Sequence, residues 1–211
     1  VMGQLYGSSK NLAITELLDG DGLSIIICPN SDSVYSTFRD IHFFSNNKLN
    51  IDILPDLEML PYDINPPAKA VKSLRSEIFY KIANNDLNIL VLNAQNLLWK
   101  IPESSFFTSN STDLEVNQKF SVRDLKDLFS NNGFERVNVV NYPGEYSIRG
   151  SVIDFFSTIN KLPVRLDLFD DTIDSMRQFD LESQLTIKSI KHSKVIPADF
   201  FSKTKEQIDF L

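Results

Sequence analysis

The sequence predicts an α/β protein in two parts: a mainly parallel sheet flanked by helices, then a small α+β domain with a twisted, mostly antiparallel sheet. Three observations carry this. Helix-like and strand-like periods alternate through the first hundred residues, a run of small polar residues interrupts them near 103–113, and strand-like alternation dominates beyond it. With 211 residues, 42% of them hydrophobic and 23% charged, the chain can bury a real core and has an ordinary globular composition.

In the first part, residues 9–18 read as a helix with Leu12, Ile14, Leu17 and Leu18 available for packing, followed by a strand at 23–28. A helix at 32–44 leads to a short strand at 51–54. After a loop punctuated by Pro55, Pro61, Pro66 and Pro67 comes a helix at 68–83, in which Val71, Leu74, Ile78 and Ile82 form one apolar stripe. The run 87–92 is apolar enough to be a strand covered on both faces, and the αβαβαβ order favours parallel pairing.

Residues 103–113, rich in Ser, Thr and Asn, mark a domain boundary. Ser121 is a good N-cap for a helix at 122–131, which carries Val122, Leu125, Leu128 and Phe129 as a stripe and has Gly133 marking its end. Strands are expected at 136–141, 146–156, 164–169, 173–179 and 189–195, with Asp170-Asp171 as a turn.

The formal charge of −7 and pI near 4.9 argue against a surface shaped to wrap phosphate backbones. A single cysteine, Cys28, sits in an apolar run and can form no internal disulfide, which fits a reducing cytoplasm and a small buried hydrophobe. No apolar stretch approaches the roughly 20 residues needed to span a bilayer, and no signal peptide opens the chain. Both ends read as cut, with 203–211 resembling a helix stopped midway, so a piece of a longer protein is expected.

One stretch resembles a phosphate loop: Gly3-Gln4-Leu5-Tyr6-Gly7-Ser8-Ser9-Lys10-Asn11. A working loop needs Gly directly before Lys, so that backbone amides curl around phosphate, and Ser or Thr directly after it to hold magnesium. Ser9 and Asn11 stand there instead, so no nucleotide cofactor is expected. Asp19/Asp21, Asp170/Asp171 and Asp180/Glu182 lack a histidine or third carboxylate at metal-ligand spacing, and His42 and His192 lack triad partners. Neither catalytic nor metal-binding residues are expected.

What stands out is a face. In the strand at 164–169, Val164, Leu166 and Leu168 share one side, which puts Arg165, Asp167 and Phe169 on the other. Arginine and aromatic residues are the usual anchors of protein interfaces. Alternation also turns Arg149 outward with Ser147 and Ser151, opposite Ile148 and Val152, while Gly150 permits a bulge or close approach. The competing reading pairs Arg149 and Arg165 internally with Asp154, Asp167 or Glu145 and covers Phe169 with a second layer of the same protein.

The segments Leu54-Pro55-Asp56-Leu57-Glu58-Met59-Leu60-Pro61-Tyr62-Asp63, Ser73-Leu74-Arg75, Gly144-Glu145-Tyr146-Ser147-Ile148-Arg149-Gly150 and Arg165-Leu166-Asp167-Leu168-Phe169-Asp170-Asp171-Thr172-Ile173-Asp174-Ser175 occur in this order. Together they resemble the N-terminal UvrB-homology region of the bacterial transcription-repair coupling factors (the Mfd family). The resemblance implies a degenerate RecA-like domain at 1–111, an inserted UvrA-binding α+β domain at 112–195, and a return to the first domain at 196–211. It implies docking of the repair protein UvrA through Arg149, Arg165 and Phe169, with no cofactor and no chemistry of its own. RNA polymerase and double-stranded DNA would be engaged only by parts of the parent protein outside this chain, in the cytoplasm and away from any membrane. The alternative from a different class is a truncated UvrB-type ATP-dependent DNA-repair helicase domain, and a third is a structural domain whose Arg/Phe face packs within the parent protein.

Overall fold

The computed structural model describes residues 5–18, 22–57 and 67–199, which form a mixed α/β structure with several sheets. The chain divides into two compact units, Val1–Pro66 with Ile78–Ser104, and Pro67–Glu77 with Ser105–Leu211.

The first unit is organised by α1 (Ser9–Leu17), β1 (Ser24–Cys28), α2 (Ser31–Phe44), β2 (Ile51–Ile53) and β3 (Ile89–Asn93). β3 lies between β1 and β2, and both pairings are parallel. Every side chain of β3 is buried, as expected of a strand covered on both faces. α2 starts at Asn30, whose side chain accepts the Ser33 N–H, and it buries Val34 and Ile41 against Cys28, Ile89 and Val91. Cys28 is buried as a small hydrophobe beside Thr37. In α1 the packing face differs from the expected one, because Leu12 and Leu17 are exposed. The inward stripe runs through Asn11, Ile14, Thr15 and Leu18, which is the i, i+3, i+4, i+7 face, whereas positions 12 and 17 point away from it.

α3 (Lys69–Ala83) departs from expectation at Leu74, which is exposed. Its first turns, which belong to the second unit, bury Ser73, Arg75 and Ser76, and the two hydroxyls reach carbonyls of that same unit: Ser73 donates to Pro143 at 3.1 Å and Ser76 to Pro197. Gly144, at φ +86°, allows this approach, since a Cβ there would lie 3.2 Å from Ala198 and 3.4 Å from the Ser73 hydroxyl.

The second unit continues with α4 (Ser104–Ser109), β4 (Thr112–Glu115), α5 (Val122–Asn131), β5 (Glu135–Arg136), β6 (Glu145–Arg149), β7 (Val152–Phe156), β8 (Val164–Phe169), β9 (Thr172–Phe179), β10 (Thr186–Ile190) and β11 (His192–Val195). The polar run read as a domain boundary contains α4, where Phe107 is fully buried and meets Phe106 edge to face. α5 carries a complete capping box between Ser121 and Asp124 and buries Leu125 and Phe129. Among the described residues, β10-β9-β8-β7-β6-β5 form one sheet, antiparallel except for β5 with β6. Its inner face packs Tyr146, Ile153, Phe155, Val164, Leu166 and Ile173 around Phe129.

Three expected strands are redrawn. The run 146–156 folds back on itself at Gly150-Ser151, so Val152 lies opposite Arg149 across the hairpin and shares its face. Gly150, at φ +64°, is the turn residue of a two-residue hairpin and not a bulge. Of the run 136–141 only Arg136 is in a strand, as the second residue of β5, and the remainder is a loop tied to β6. The run 189–195 splits, with β10 joining β9 and β11 pairing with β4.

Candidate interaction surface

Because the inner face of the six-stranded sheet is apolar, period-two alternation sends a polar set outward: Ser147 and Arg149 on β6, Asp154 on β7, Arg165 and Asp167 on β8, Ser175 and Arg177 on β9. The ladder aligns Ser147, Asp154, Arg165 and Arg177 in one row and Val152, Asp167 and Ser175 in the next. Opposite charges therefore sit side by side. Asp154, with a side chain only 3% exposed, accepts Arg165 Nε at 2.6 Å and Nη2 at 2.9 Å in a bidentate pair, and also takes Arg149 Nη2. Asp167 takes Arg177 Nη2 and the Ser175 hydroxyl at 2.7 Å.

Arg165 is held on further sides. Its guanidinium carbon lies 4.5 Å above the Phe179 ring, and Gln184 accepts from Nη2 through its side chain and from Nη1 through its backbone carbonyl. Gln184 belongs to a turn closed by Asp180, whose carboxylate accepts the N–H and hydroxyl of Ser183 and is held below its ordinary pKa by them. The hydrogen bonds it donates to Asp154, opposed by partial burial, raise Arg165 above its already high value. It stays a permanent cation.

Phe169 ends β8 on the same outer face, beside a tight turn in which Asp170 and Asp171 have φ of +43° and +56°. Both central residues left-handed is the type I′ signature, whose twist matches the flanking strands. Phe169 is 70% exposed, so among the described residues no second layer covers it. At the start of β6 the outer face is covered by the loop at 137–142: Glu145 accepts the N–H groups of Asn141 and Tyr142, and Ser147 donates to the Asn138 carbonyl.

The three sequence-predicted residues thus share one face. Arg149 and Arg165 meet on Asp154, with side-chain exposures of 49% and 19%, and Phe169 projects farther along β8. The internal ion pair weighed in the sequence is real for both arginines, and among the described residues Asp154 supplies it. Arg177, Phe179 and Gln184 were not singled out by sequence; continuing the alternation from Ser175 through Arg177 to Phe179 would have found the first two.

Of the phosphate-loop-like stretch, Gly3 and Gln4 lie outside the described residues, as do Asp19 and Asp21. Asn11, in the place of a magnesium-holding hydroxyl, is buried and donates to Asp40 Oδ2 at 2.8 Å. Among the described residues no group of three His, Cys, Asp or Glu could hold a metal ion, and no helix is long and apolar enough to cross a membrane.

This sheet, with a capped helix on one face and a charged ladder on the other, lies within residues 112–201, which match the model of the UvrB interaction domain family. Across the whole chain the similarity is to transcription-repair-coupling factors. That of Escherichia coli is 28% identical over 210 residues, covering 99% of this chain and 18% of that protein, and that of Haemophilus influenzae is 26% identical over 211 residues, covering 100% and 18%. That of Rickettsia typhi is 33% identical over 165 residues, covering 78% of this chain and 15% of that protein. The resemblance carried by the sequence motifs therefore stands, and the chain spans less than a fifth of the length of these relatives.

Proposed function

We propose that this chain is a non-catalytic docking module of a transcription-repair coupling factor, recruiting UvrA to stalled transcription complexes through Arg149, Arg165 and Phe169. In this reading residues 1–111 are a degenerate RecA-like domain, 112–195 the inserted UvrA-binding domain and 196–211 the return segment, all in the cytoplasm. ATP-driven translocation, polymerase binding and DNA binding would belong to the rest of the parent protein.

The observation that carries the reading is Phe169, a large apolar ring 70% exposed on the face that also presents both arginines. An exposed aromatic flanked by fixed cations is the composition of an interface anchor for a partner with an apolar pocket rimmed by carboxylates. The test is the affinity of the chain for purified UvrA. Phe169→Ala is expected to weaken it about thirtyfold or more, the equivalent of about 2 kcal/mol for a hot-spot residue. Parental affinity in that variant would reject the docking reading.

A further inference from the structure

Asp154 occupies an unusual place on this surface. It is a nearly fully buried carboxylate on the outer face of the sheet, and two arginines of the proposed docking set converge on it. The ladder explains why: Asp154 is the cross-strand neighbour of Ser147 on one side and of Arg165 on the other, while Arg149 reaches it from two residues farther along β6. The resulting cluster carries one net positive charge.

A carboxylate between two cations can affect an acidic partner in opposite ways. It can mask them by neutralising charge, or hold them in place so that little freedom is lost on binding. A free arginine side chain loses rotamer entropy on binding, so a pre-held guanidinium keeps more of its interaction energy. The geometry favours holding. Asp154 grips Arg165 along its Nε–Nη2 edge, Phe179 supports the guanidinium plane, and Gln184 limits its swing. Arg149 uses only Nη2, so among the described residues its Nε and Nη1 make no hydrogen bond.

We infer that Asp154 is the positioning residue of the docking surface, with Gln184 as its support: it sets Arg149 and Arg165 side by side as a preformed cationic pair for partner carboxylates. This rests on the docking reading above. It also makes a prediction opposite in sign to simple electrostatics, because removing Asp154 makes the surface more positive.

The experiment is titration of the chain with UvrA at low salt, comparing the parent, Asp154→Asn and Phe169→Ala. Positioning predicts about tenfold weaker binding for Asp154→Asn; equal or tighter binding overturns the inference. In the ¹⁵N–¹H spectrum, the Arg165 Nε–H signal should be sharp and slowly exchanging in the parent and lost in Asp154→Asn while the backbone signals persist, and an unchanged Nε–H signal likewise overturns it. If Asp154→Asn does not fold, Gln184→Asn decides, since asparagine tolerates the φ of +58° there and only draws the amide oxygen back from Arg165. About threefold weaker binding supports positioning, and parental binding rejects it. Phe169→Ala separates the levels: parental affinity in that variant removes the docking reading itself, whereas a weak Phe169→Ala with a tight Asp154→Asn removes only the role of Asp154.

Discussion

Leu168 donates its backbone N–H to the Ser151 carbonyl at 3.0 Å, which brings the Gly150-Ser151 turn beside the strand that ends in Phe169. Arg149, directly before that turn, and Phe169, directly before the Asp170-Asp171 turn, therefore stand at the same end of the sheet. The turn at Gly150 sets this geometry. A Cβ at Gly150 would meet nothing within 4 Å, but φ there is +64°. Gly150→Ala thus strains only the local backbone, where the left-handed conformation crowds Cβ against the next carbonyl, and is expected to cost about 1–2 kcal/mol. Denaturant unfolding measures it, and D-alanine at the same position should restore the parent's stability.

Arg165 and Phe169 should separate cleanly in stability although both are proposed to bind. Arg165→Ala strips a bidentate partner from buried Asp154 and uncovers Phe179, so a loss of about 2–3 kcal/mol is expected, tempered by Arg149, which remains on the carboxylate. Phe169→Ala, at an exposed position, should unfold within about 0.5 kcal/mol of the parent. Paired denaturation curves check both. A large loss for Phe169→Ala would mean that the ring is buried in solution.

Much of this was legible in sequence where one period dominates and burial follows it. The alternation Val164-Leu166-Leu168 against Arg165-Asp167-Phe169 places every β8 side chain correctly, because a strand with a single buried face leaves no other register. The apolar run at β3 and the Ser121 cap were equally plain. The hairpin at Gly150 was not, since Ser147 to Phe156 reads as one strand-like stretch with only a single glycine to signal the turn. In α1 and α3 the buried faces carry Asn11, Ser73 and Ser76, so a search for apolar stripes selected Leu12, Leu17 and Leu74, which are exposed. Whether Arg149 and Arg165 are paired could not be read either, because it depends on Asp154 lying across from them in three dimensions.

The Ser121–Asp124 capping box should show itself in acid. Asp124 accepts the Ser121 hydroxyl and backbone N–H, the hydroxyl contributing most, and its pKa is lowered from 3.8. A carboxylate whose folded pKa is depressed contributes stability that is present above the unfolded value and is lost as pH falls through the folded one. Ser121→Ala should remove about 1 kcal/mol of capping at neutral pH. It should also flatten the decline in stability below about pH 4, because the side-chain hydrogen bond that depresses Asp124 is gone. Melting curves from pH 7 down to pH 2 for the parent and variant make the comparison, and parallel declines would show that Asp124 is not the responsible group.

ATP with magnesium offers the last discrimination, because a ligand that binds only the folded state must stabilise it. At a hundred times its Kd, such a ligand adds about 2.7 kcal/mol, a rise of several degrees in melting temperature for a chain of this size. No rise is expected here. At the position where a phosphate loop needs a hydroxyl on magnesium, Asn11 is turned inward and committed to Asp40, and Ser9 stands where glycine would let the backbone close around phosphate. Replacing Asn11 with threonine would supply the hydroxyl but remove the Asp40 hydrogen bond, so it should lower stability without creating nucleotide binding. A melting temperature that climbs with ATP and magnesium in the parent chain would instead favour the UvrB-type ATPase and reject a purely docking role.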